Sequence, residues 1–309
     1  MALTTQSGGV FPIAPTPFET SGAIDWASAD KLFRHYDAIG ADGLTVLGMM
    51  GEAPKLEPAE AIALVRRSVG IMNGKPVIVG VSAPGFAAMR SLAREAMEAG
   101  AAGVMIAPPN TLRTDDQIVG YYAQAIEAIG PDMPFVIQDY PLLTHVQMTA
   151  GVIRRIVMAH PSCVMLKAED WPGLEKISAL RAFEADGTMR PISIMVANGG
   201  LFLDFEMERG ADGSNTGYAF PEMLIEVVRL SKAGERNAAQ DVFDAHLPLL
   251  RYEQQPGIGL AVRKYVLMRR GLIAADAQRR PASSLSAKAR AEVDYLLGRL
   301  ARFEPLAAL

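Results

Sequence analysis

A short glycine motif that recurs along the chain constrains its fold more than any other feature. The pattern Gly-Ala-x-Gly occurs at Gly40–Gly43, Gly100–Gly103 and Gly210–Gly213, each time after a helical pattern and before a short apolar run. Its first glycine can end a helix in the left-handed conformation, and its second eases a tight turn into a strand. The copies begin 60 and 110 residues apart, which fits whole multiples of a strand-plus-helix unit of about 30 residues.

Eight apolar runs of strand length follow this spacing. They are Val10–Ala14, Leu44–Leu47, Val77–Val81, Val104–Ala107, Phe135–Gln138, Cys163–Leu166, Ile192–Val196 and Gly213–Asn215. Amphipathic helical windows between them include Ala27–Ile39, Pro58–Ile71, Phe86–Ala99, Asp115–Ile129 and Leu174–Glu184. Continuous apolar strands that alternate with helices predict a parallel sheet covered on both faces. Eight such units predict an α/β fold, the (β/α)8 TIM barrel, over residues 1–220.

The remaining residues, 221–309, form a predicted C-terminal helical extension. The segment reads as helical throughout, and Pro248, Pro256 and Pro281 predict breaks between three or four helices. No low-complexity linker precedes it. We therefore expect these helices to pack on the barrel or on a neighbouring subunit rather than to form a separate functional domain.

Composition excludes several classes of function. The chain has 30 Lys and Arg against 34 Asp and Glu, a net charge of −4, and so lacks the basic excess of a nucleic-acid binder. Every apolar stretch is interrupted before the roughly 18 residues that a membrane span needs. The single cysteine, Cys163, can form no internal disulfide, and the first residues lack the pattern of a secretory signal. We expect a cytoplasmic protein with neither nucleic acid nor membrane as a partner.

The sequence also predicts no metal and no cofactor. One cysteine and four scattered histidines, His35, His145, His160 and His246, form no ligand pair at helical or loop spacing. No dinucleotide fingerprint follows the first strand. Any chemistry is therefore expected to come from the protein's own side chains.

Lys167 is the only lysine that closes a predicted strand, in the run Ser162–Lys167. Active sites of such barrels lie at the carboxyl ends of the strands. Apolar surroundings lower the pKa of a lysine ammonium group, and the free amine can then attack a carbonyl carbon to form a Schiff base. The alternative is a solvated lysine that pairs with Glu169 or Asp170.

Two glycine-flanked loops at other strand ends are candidate binding elements. In Gly48–Glu52 the glycines let backbone N–H groups converge on an anion such as a carboxylate. The turn Gly213–Gly217 suits either a phosphate or a tight turn beside an imine. The candidate substrate-binding residues of these loops are Gly48, Met49, Met50, Gly51, Asn215 and Thr216.

The chain resembles the pyruvate-dependent class I aldolases and dehydratases typified by dihydrodipicolinate synthase and N-acetylneuraminate lyase. The residues that carry the resemblance are Ala14–Phe18, Gly48–Glu52, Gly80, Asp139–Pro141, Lys167 and Gly213–Gly217, which span nearly the whole chain. The resemblance implies a Schiff base between Lys167 and the ketone of pyruvate or another 2-keto acid, whose carboxylate the loop Gly48–Glu52 would hold. It also implies a homodimer or homotetramer.

Several positions depart from the family pattern. The two loop threonines of the family are Met49 and Met50 in this chain, and the tyrosine after the fourth strand is Asn110. The catalytic tyrosine three residues before the proline is Gln138, and the arginine that binds the aldehyde substrate's carboxylate in dihydrodipicolinate synthase is Leu143. The family's hydroxyl proton relay is therefore absent, which argues against the lysine-biosynthetic condensation.

Residues next to Gln138 become candidates in its place. A glutamine can form hydrogen bonds but cannot act as a general acid or base near neutral pH. If the chain stays extended, Tyr140 faces the same side as Gln138 and brings a phenol towards the Schiff base. Asp139 is a candidate to orient Gln138 or a substrate hydroxyl, or to cap the next segment.

We therefore expect a Schiff-base lyase whose catalytic residues are Lys167, Tyr140 and Gln138. Its reaction would be aldol cleavage or condensation, or dehydration of a 2-keto-3-deoxy sugar acid, with a small 2-keto acid as substrate. Two alternatives stay open. One is a phosphate-sugar isomerase or epimerase, which the turn Gly213–Gly217 would suit, and the other is a non-catalytic barrel that binds a keto acid.

Overall fold

The computed structural model describes residues 2–171 and 173–309, and in it eight parallel strands form one sheet. The strands are β1 (Gly9–Val10), β2 (Leu44–Val46), β3 (Val77–Gly80), β4 (Gly103–Ile106), β5 (Phe135–Asp139), β6 (Cys163–Ala168), β7 (Ser193–Val196) and β8 (Gly213–Ser214). Their order is β1-β8-β7-β6-β5-β4-β3-β2. A parallel bridge between Ile13, just after β1, and Thr45 of β2 brings the two ends of the sheet together. The predicted barrel is confirmed.

Twelve α-helices in the described residues surround and extend this sheet. They are α1 (Trp26–Ala38), α2 (Pro58–Ile71), α3 (Phe86–Glu98), α4 (Asp115–Ile129), α5 (Pro141–Thr144), α6 (Ala150–Ala159), α7 (Leu174–Ala185), α8 (Leu203–Glu208), α9 (Pro221–Lys232), α10 (Arg236–Glu253), α11 (Gly259–Arg269) and α12 (Ala287–Leu300). The five helical windows named from the sequence coincide with α1 to α4 and α7. Among the described helices, none has the length and apolar character needed to cross a membrane.

The prediction of helix breaks is wrong at Pro248, which lies inside α10. Proline in a helix interior removes one backbone N–H donor and costs roughly 3 kcal/mol. The buried side chains of α10, among them Phe243 and Leu250, offset this cost by removing apolar surface from water. Pro256 and Pro281 do fall between helices, as predicted.

Two apolar layers lie on opposite faces of the sheet. The inner cluster fills the barrel and includes Phe11, Ile78, Met105, Val136 and Met165. The outer and larger cluster lies between the strands and the helices. Because successive strand residues alternate between the two faces, the residue two positions beyond an inner apolar side chain lies above the apolar filling, at the carboxyl end of the barrel.

The C-terminal helices pack directly on the barrel, as expected. Helix α9 contacts β1 and β8, so it covers the sheet in the same way as the preceding helices. Helix α11 contributes Lys264, whose Nζ donates a hydrogen bond to Glu52 Oε1 at 2.5 Å in the loop after β2. The division of the chain after residue 220 stays a prediction.

Helix α8 buries a carboxyl group away from the strand ends. Glu206 is buried, and its Oε2 has no hydrogen-bond partner among the described residues. Burial, and secondarily the charge on Asp204, raise the pKa of Glu206 from near 4.5 to about 8. This carboxyl group is therefore protonated in the folded protein at neutral pH.

We expect the stability of the protein to fall as the pH rises from about 4.5 to about 8, because the unfolded chain releases this proton before the folded chain does. The contribution of Glu206 approaches about 1.4 kcal/mol per pH unit in that window. Urea unfolding of wild type and Glu206→Gln at pH 5.5 and 8 measures it, and the gain in stability of the variant over wild type should be larger at pH 8 than at pH 5.5. Glu208→Gln, at an exposed position of the same helix, is the matched control. A gain of equal size at both pH values would contradict the assignment.

Candidate active site

Lys167 lies inside the barrel near the carboxyl end of β6 and is only 1% exposed. Its Nζ donates a hydrogen bond to Glu169 Oε1. Gln138, which pairs with Lys167 in the β5–β6 register, donates from Nε2 to the same oxygen at 2.7 Å. Lys167 therefore does pair with Glu169, but inside the protein and not as a solvated strand-end lysine.

The position of Lys167 follows from the alternation of the strands. Met165 and Val136 belong to the inner apolar cluster, and Lys167 and Gln138 lie two residues further along β6 and β5. The inner cluster therefore forms an apolar floor beneath a polar layer. Burial lowers the pKa of Lys167, Glu169 opposes this effect, and the positive charge of Arg263 adds to it. The site favours the neutral amine more than water does.

The loop after β2 offers backbone donors. It forms a 3₁₀ turn over Met49–Gly51, in which the N–H groups of Gly51 and Glu52 donate to Gly48 O and Met49 O. The N–H groups of Met49 and Met50 have no acceptor within residues 2–171 and 173–309. These two amides are the ones that can bind an anion.

Close packing holds this loop in place. Thr16 Oγ1 donates to Gly51 O at 2.6 Å. A Cβ atom on Gly80 would lie 2.3 Å from Leu47 O, so glycine at the end of β3 is what lets the loop approach. Both residues belong to the motifs singled out in the sequence.

The Glu52 carboxylate points away from the anion loop. Its Oε1 accepts from Lys264 Nζ at 2.5 Å, and its Oε2 accepts from Lys55 Nζ at 2.8 Å and from the Arg279 N–H at 3.2 Å. The negative charge of Glu52 is therefore neutralised by Lys264 of α11 and by Lys55, and these contacts link the loop to the C-terminal part of the chain.

Asn215, which directly follows β8, contributes a polar side chain to the barrel interior. Thr45 Oγ1 donates to Asn215 Oδ1 at 2.9 Å. Thr45 lies in β2, and because β1 lies between β2 and β8, the two side chains meet inside the barrel. The Asn215 amide Nδ2 is buried and has no partner among the described residues. Thr216 has a different role, since its Oγ1 accepts from the Gly199 N–H at 2.8 Å and joins two loops.

Three further candidates occupy different surroundings. Tyr140 precedes α5 and is partly buried. Burial and the negative charge of Glu169 raise the pKa of Tyr140, and the positive charge of Arg263 opposes this effect. The phenol therefore stays protonated. Asp139 lies on the outer face of β5, where its Oδ2 contacts Lys176 Nζ at 2.6 Å. Asn110 is exposed in the loop after β4. The structure places Asp139 outside the cluster around Lys167 and shows no contact between that cluster and Asn110.

The sequence reasoning missed Glu169 as a site residue and missed Arg263 entirely. Arg263 of α11 is 3% exposed, its Nε donates to Glu253 Oε1, and its Nη1 has no partner among the described residues. The one signal in the sequence is the adjacent pair Arg263-Lys264 within the apolar stretch Ala261–Leu267. Two neighbouring cations in an apolar stretch indicate paired or functional charges.

Comparisons with known proteins point to one family. The model of the dihydrodipicolinate synthetase family matches residues 6–300. The chain is 29% identical to L-2-keto-3-deoxyarabonate dehydratase of Azospirillum brasilense, over 98% of this chain and 96% of that protein. It is 27% identical to 4-hydroxy-tetrahydrodipicolinate synthase of Bifidobacterium longum, over 89% and 88% of the two chains. A crystal structure of dihydrodipicolinate synthase from Rhodopseudomonas palustris is 62% identical, with a TM-score of 0.95 over 97% of this chain and 99% of that one.

Proposed function

Because the chain belongs to the dihydrodipicolinate synthetase family and is a Schiff-base lyase, we propose that Lys167 forms the imine and that the reaction is the dehydration of a 2-keto-3-deoxy sugar acid. The observation that carries this proposal is the buried cluster of Lys167, Glu169 and Gln138. In this cluster the Lys167 amine is in direct contact with the Glu169 carboxylate, and the Gln138 amide donates a hydrogen bond to that carboxylate. These contacts support a nucleophilic role for Lys167 and a proton-accepting role for Glu169.

The cluster supports imine formation without a separate proton relay. Glu169 takes a proton from the Lys167 ammonium group, and the neutral amine attacks C2 of the keto acid. The carbinolamine then loses its hydroxyl group as water, with the proton returned by Glu169. The products of this step are a protonated imine on Lys167 and the Glu169 carboxylate, so charge and atoms balance.

The same carboxylate is placed to move the next proton. In the imine, C2 of the substrate is bonded to Lys167 Nζ, and C3 is the next carbon. A carboxylate that contacts Nζ therefore lies within reach of a hydrogen on C3. Glu169 removes that proton and gives an enamine. The enamine expels the C4 hydroxyl group, which leaves as water with the proton from Glu169. Hydrolysis of the conjugated imine then frees Lys167 and an unsaturated 2-keto acid.

Two other side chains have supporting roles in this scheme. Gln138 fixes Glu169 through its 2.7 Å hydrogen bond and acts as a positioning residue. Tyr140 has a raised pKa, so its phenol serves as a hydrogen-bond donor to a substrate hydroxyl. The free N–H groups of Met49 and Met50 are donors for a carboxylate of the substrate.

The choice of dehydration rests on the relatives and on the residues that are absent. The A. brasilense relative, matched over nearly its whole length, is a dehydratase of a 2-keto-3-deoxy acid. The position expected to clamp the carboxylate of an aldehyde substrate is Leu143, which is exposed and cannot form an ion pair. The isomerase and the non-catalytic barrel are not favoured, because the relatives reported above are lyases.

The Schiff base is tested by trapping. We expect pyruvate and borohydride to modify Lys167, because its amine is buried and paired with a carboxylate that accepts its proton. Peptide mass spectrometry locates the adduct. Lys264 is an internal control: it is equally buried and also paired with a carboxylate, but it belongs to α11 rather than to a strand end, and its Nζ is held by both Glu52 and Ala277 O, so it should stay unmodified. If Lys167 stays unmodified, the assignment of Lys167 as the Schiff-base lysine is wrong.

The proton-transfer role is tested by Glu169→Gln. We expect the rate of water loss from 2-keto-3-deoxyarabonate to fall about 100- to 10,000-fold, the usual contribution of a general acid–base group, while Lys167 can still be trapped at long times. The matched control is Asp170→Asn, which removes the next carboxylate along the chain; that group pairs with Lys176 at 2.7 Å. Equal losses of rate in the two variants would contradict a role specific to Glu169.

We also propose that the chain forms a homodimer or homotetramer through an aromatic surface patch. Trp171 and Phe205 are 42% and 47% exposed, and the Trp171 and Phe202 rings pack edge to face with centroids 5.0 Å apart. Contiguous exposed apolar surface of this kind is typical of protein interfaces.

Phe205→Glu should lower the molar mass measured by light scattering after gel filtration, because an unpaired carboxylate at an interface is unfavourable. Phe303→Glu is the control, since Phe303 is 67% exposed near the end of the chain. If Phe205→Glu has the same molar mass in solution as wild type, this surface is not the interface.

A further inference from the structure

Arg263 presents a buried cationic edge for which residues 2–171 and 173–309 supply no acceptor. Its guanidinium is anchored on one side, where Nε donates to Glu253 Oε1. The other oxygen of Glu253 accepts from the Ala219 N–H at 3.2 Å, which fixes the anchor. The opposite side of the guanidinium, at Nη1, has no acceptor among the described residues although the side chain is 4% exposed.

A glycine makes room for this edge at the end of the barrel. A Cβ atom on Gly217 would lie 2.3 Å from Arg263 Nη1 and 3.4 Å from Ile13 O. Ile13 follows β1 and Gly217 follows β8, so Nη1 lies over the carboxyl ends of these two neighbouring strands. The position requires glycine for space, because any side chain would displace the guanidinium.

A second unpartnered donor comes from the same strand end. Asn215 lies two residues before Gly217, and its Oδ1 is held by Thr45 Oγ1. That hydrogen bond leaves Nδ2 as a fully buried donor without an acceptor among the described residues. Leaving one buried donor unpaired costs about 1–3 kcal/mol, and more for a charged group, so two such donors at one strand end indicate a missing acceptor.

The missing acceptor is an anion. Arg263 carries a cationic guanidinium group, whose planar edge matches the two oxygens of a carboxylate. Its charge also acts on Lys167 and Tyr140, lowering the pKa of each, so the guanidinium shares the interior with the amine. A 2-keto acid joined to Lys167 through C2 carries its carboxylate on the adjacent carbon.

We propose that Arg263 and Asn215 bind a carboxylate of the substrate, with C-terminal helix α11 supplying the charged donor. The proposal rests on the Schiff-base function proposed above, since it concerns the same site. Arg263 and Asn215 are specificity-determining residues that select acids over neutral ketones. The carboxylate is either the one next to the ketone or a second one at the far end of a dicarboxylic substrate.

The experiment measures the concentration of keto acid that gives half-maximal modification of Lys167 by borohydride. Pyruvate and 2-oxoglutarate are compared on wild type and on Arg263→Met/Glu253→Gln, which removes both charges and so leaves no unpaired buried ion. We expect the half-maximal concentration to rise about 10- to 100-fold, the value of a charged hydrogen bond. A rise for both acids assigns Arg263 to the carboxylate next to the ketone, and a rise for 2-oxoglutarate alone assigns it to the distal one. No change with either acid overturns the proposal.

Two further variants guard against an effect of folding. Arg270→Met/Glu222→Gln is the matched control, because Arg270 directly follows the same helix and pairs with Glu222 at 2.6 Å, and the double substitution again removes both charges; its half-maximal concentrations should equal those of wild type. Gly217→Ala keeps both charges and displaces the guanidinium, so a smaller rise in the same direction is expected. Circular dichroism verifies that each variant is folded.

The design separates this proposal from the function on which it rests. If wild-type Lys167 is not trapped, the Schiff-base function has failed, and calorimetric titration of the same two acids then tests the binding site alone. Weaker binding of either acid by Arg263→Met/Glu253→Gln than by wild type supports the carboxylate site. Equal binding of both acids overturns it.

Discussion

The arrangement at the carboxyl end of the barrel depends on one buried ion pair, that between Lys167 and Glu169. Removing two charges from water costs several kcal/mol for each ion, and mutual attraction offsets this only with further hydrogen bonds. Gln138 supplies one such bond to Glu169. The inner apolar cluster of the barrel excludes water on the side of the ion pair that faces the barrel interior. Burial lowers the pKa of Lys167 and so favours its neutral amine, and Glu169 is the carboxylate in direct contact with that amine.

The C-terminal helices complete this site as well as covering the barrel. Helix α11 delivers two adjacent cations: Lys264 neutralises Glu52 behind the anion loop, and Arg263 reaches the strand ends near Gly217. Each cation has its own buried carboxylate partner: the Lys264–Glu52 pair holds α11 to the barrel, and the Arg263–Glu253 pair holds α11 to α10. Truncation of the extension would therefore remove part of the site.

The sequence predicted the repeated units well because each strand and helix has a local pattern. Seven of the eight strands lie within one or two residues of their predicted runs, whereas β1 ends at Val10, four residues before the predicted end at Ala14. Lys167 could be identified because a strand end is visible in the sequence. Contacts between side chains that are far apart in the sequence leave no such local pattern in it. Glu169 was considered only as a solvent-exposed partner, and Arg263 lies 96 residues after Lys167 in a helix that is buried on most sides. The helix break predicted at Pro248 was wrong because the burial of apolar side chains of α10 outweighs the tendency of proline to end a helix.

The replacement of hydroxyl groups by a carboxylate changes the chemistry that the barrel supports. A tyrosine relay moves protons through phenol groups, whose ordinary pKa is near 10, whereas a carboxylate can accept a proton directly from an amine that it contacts. Glu169 occupies the position beside Nζ, and Tyr140, whose raised pKa keeps it protonated, is restricted to donating a hydrogen bond. One carboxylate that removes a proton at C3 and returns it to the leaving hydroxyl needs no second acid. Elimination of water is the reaction that such a single carboxylate can complete by itself.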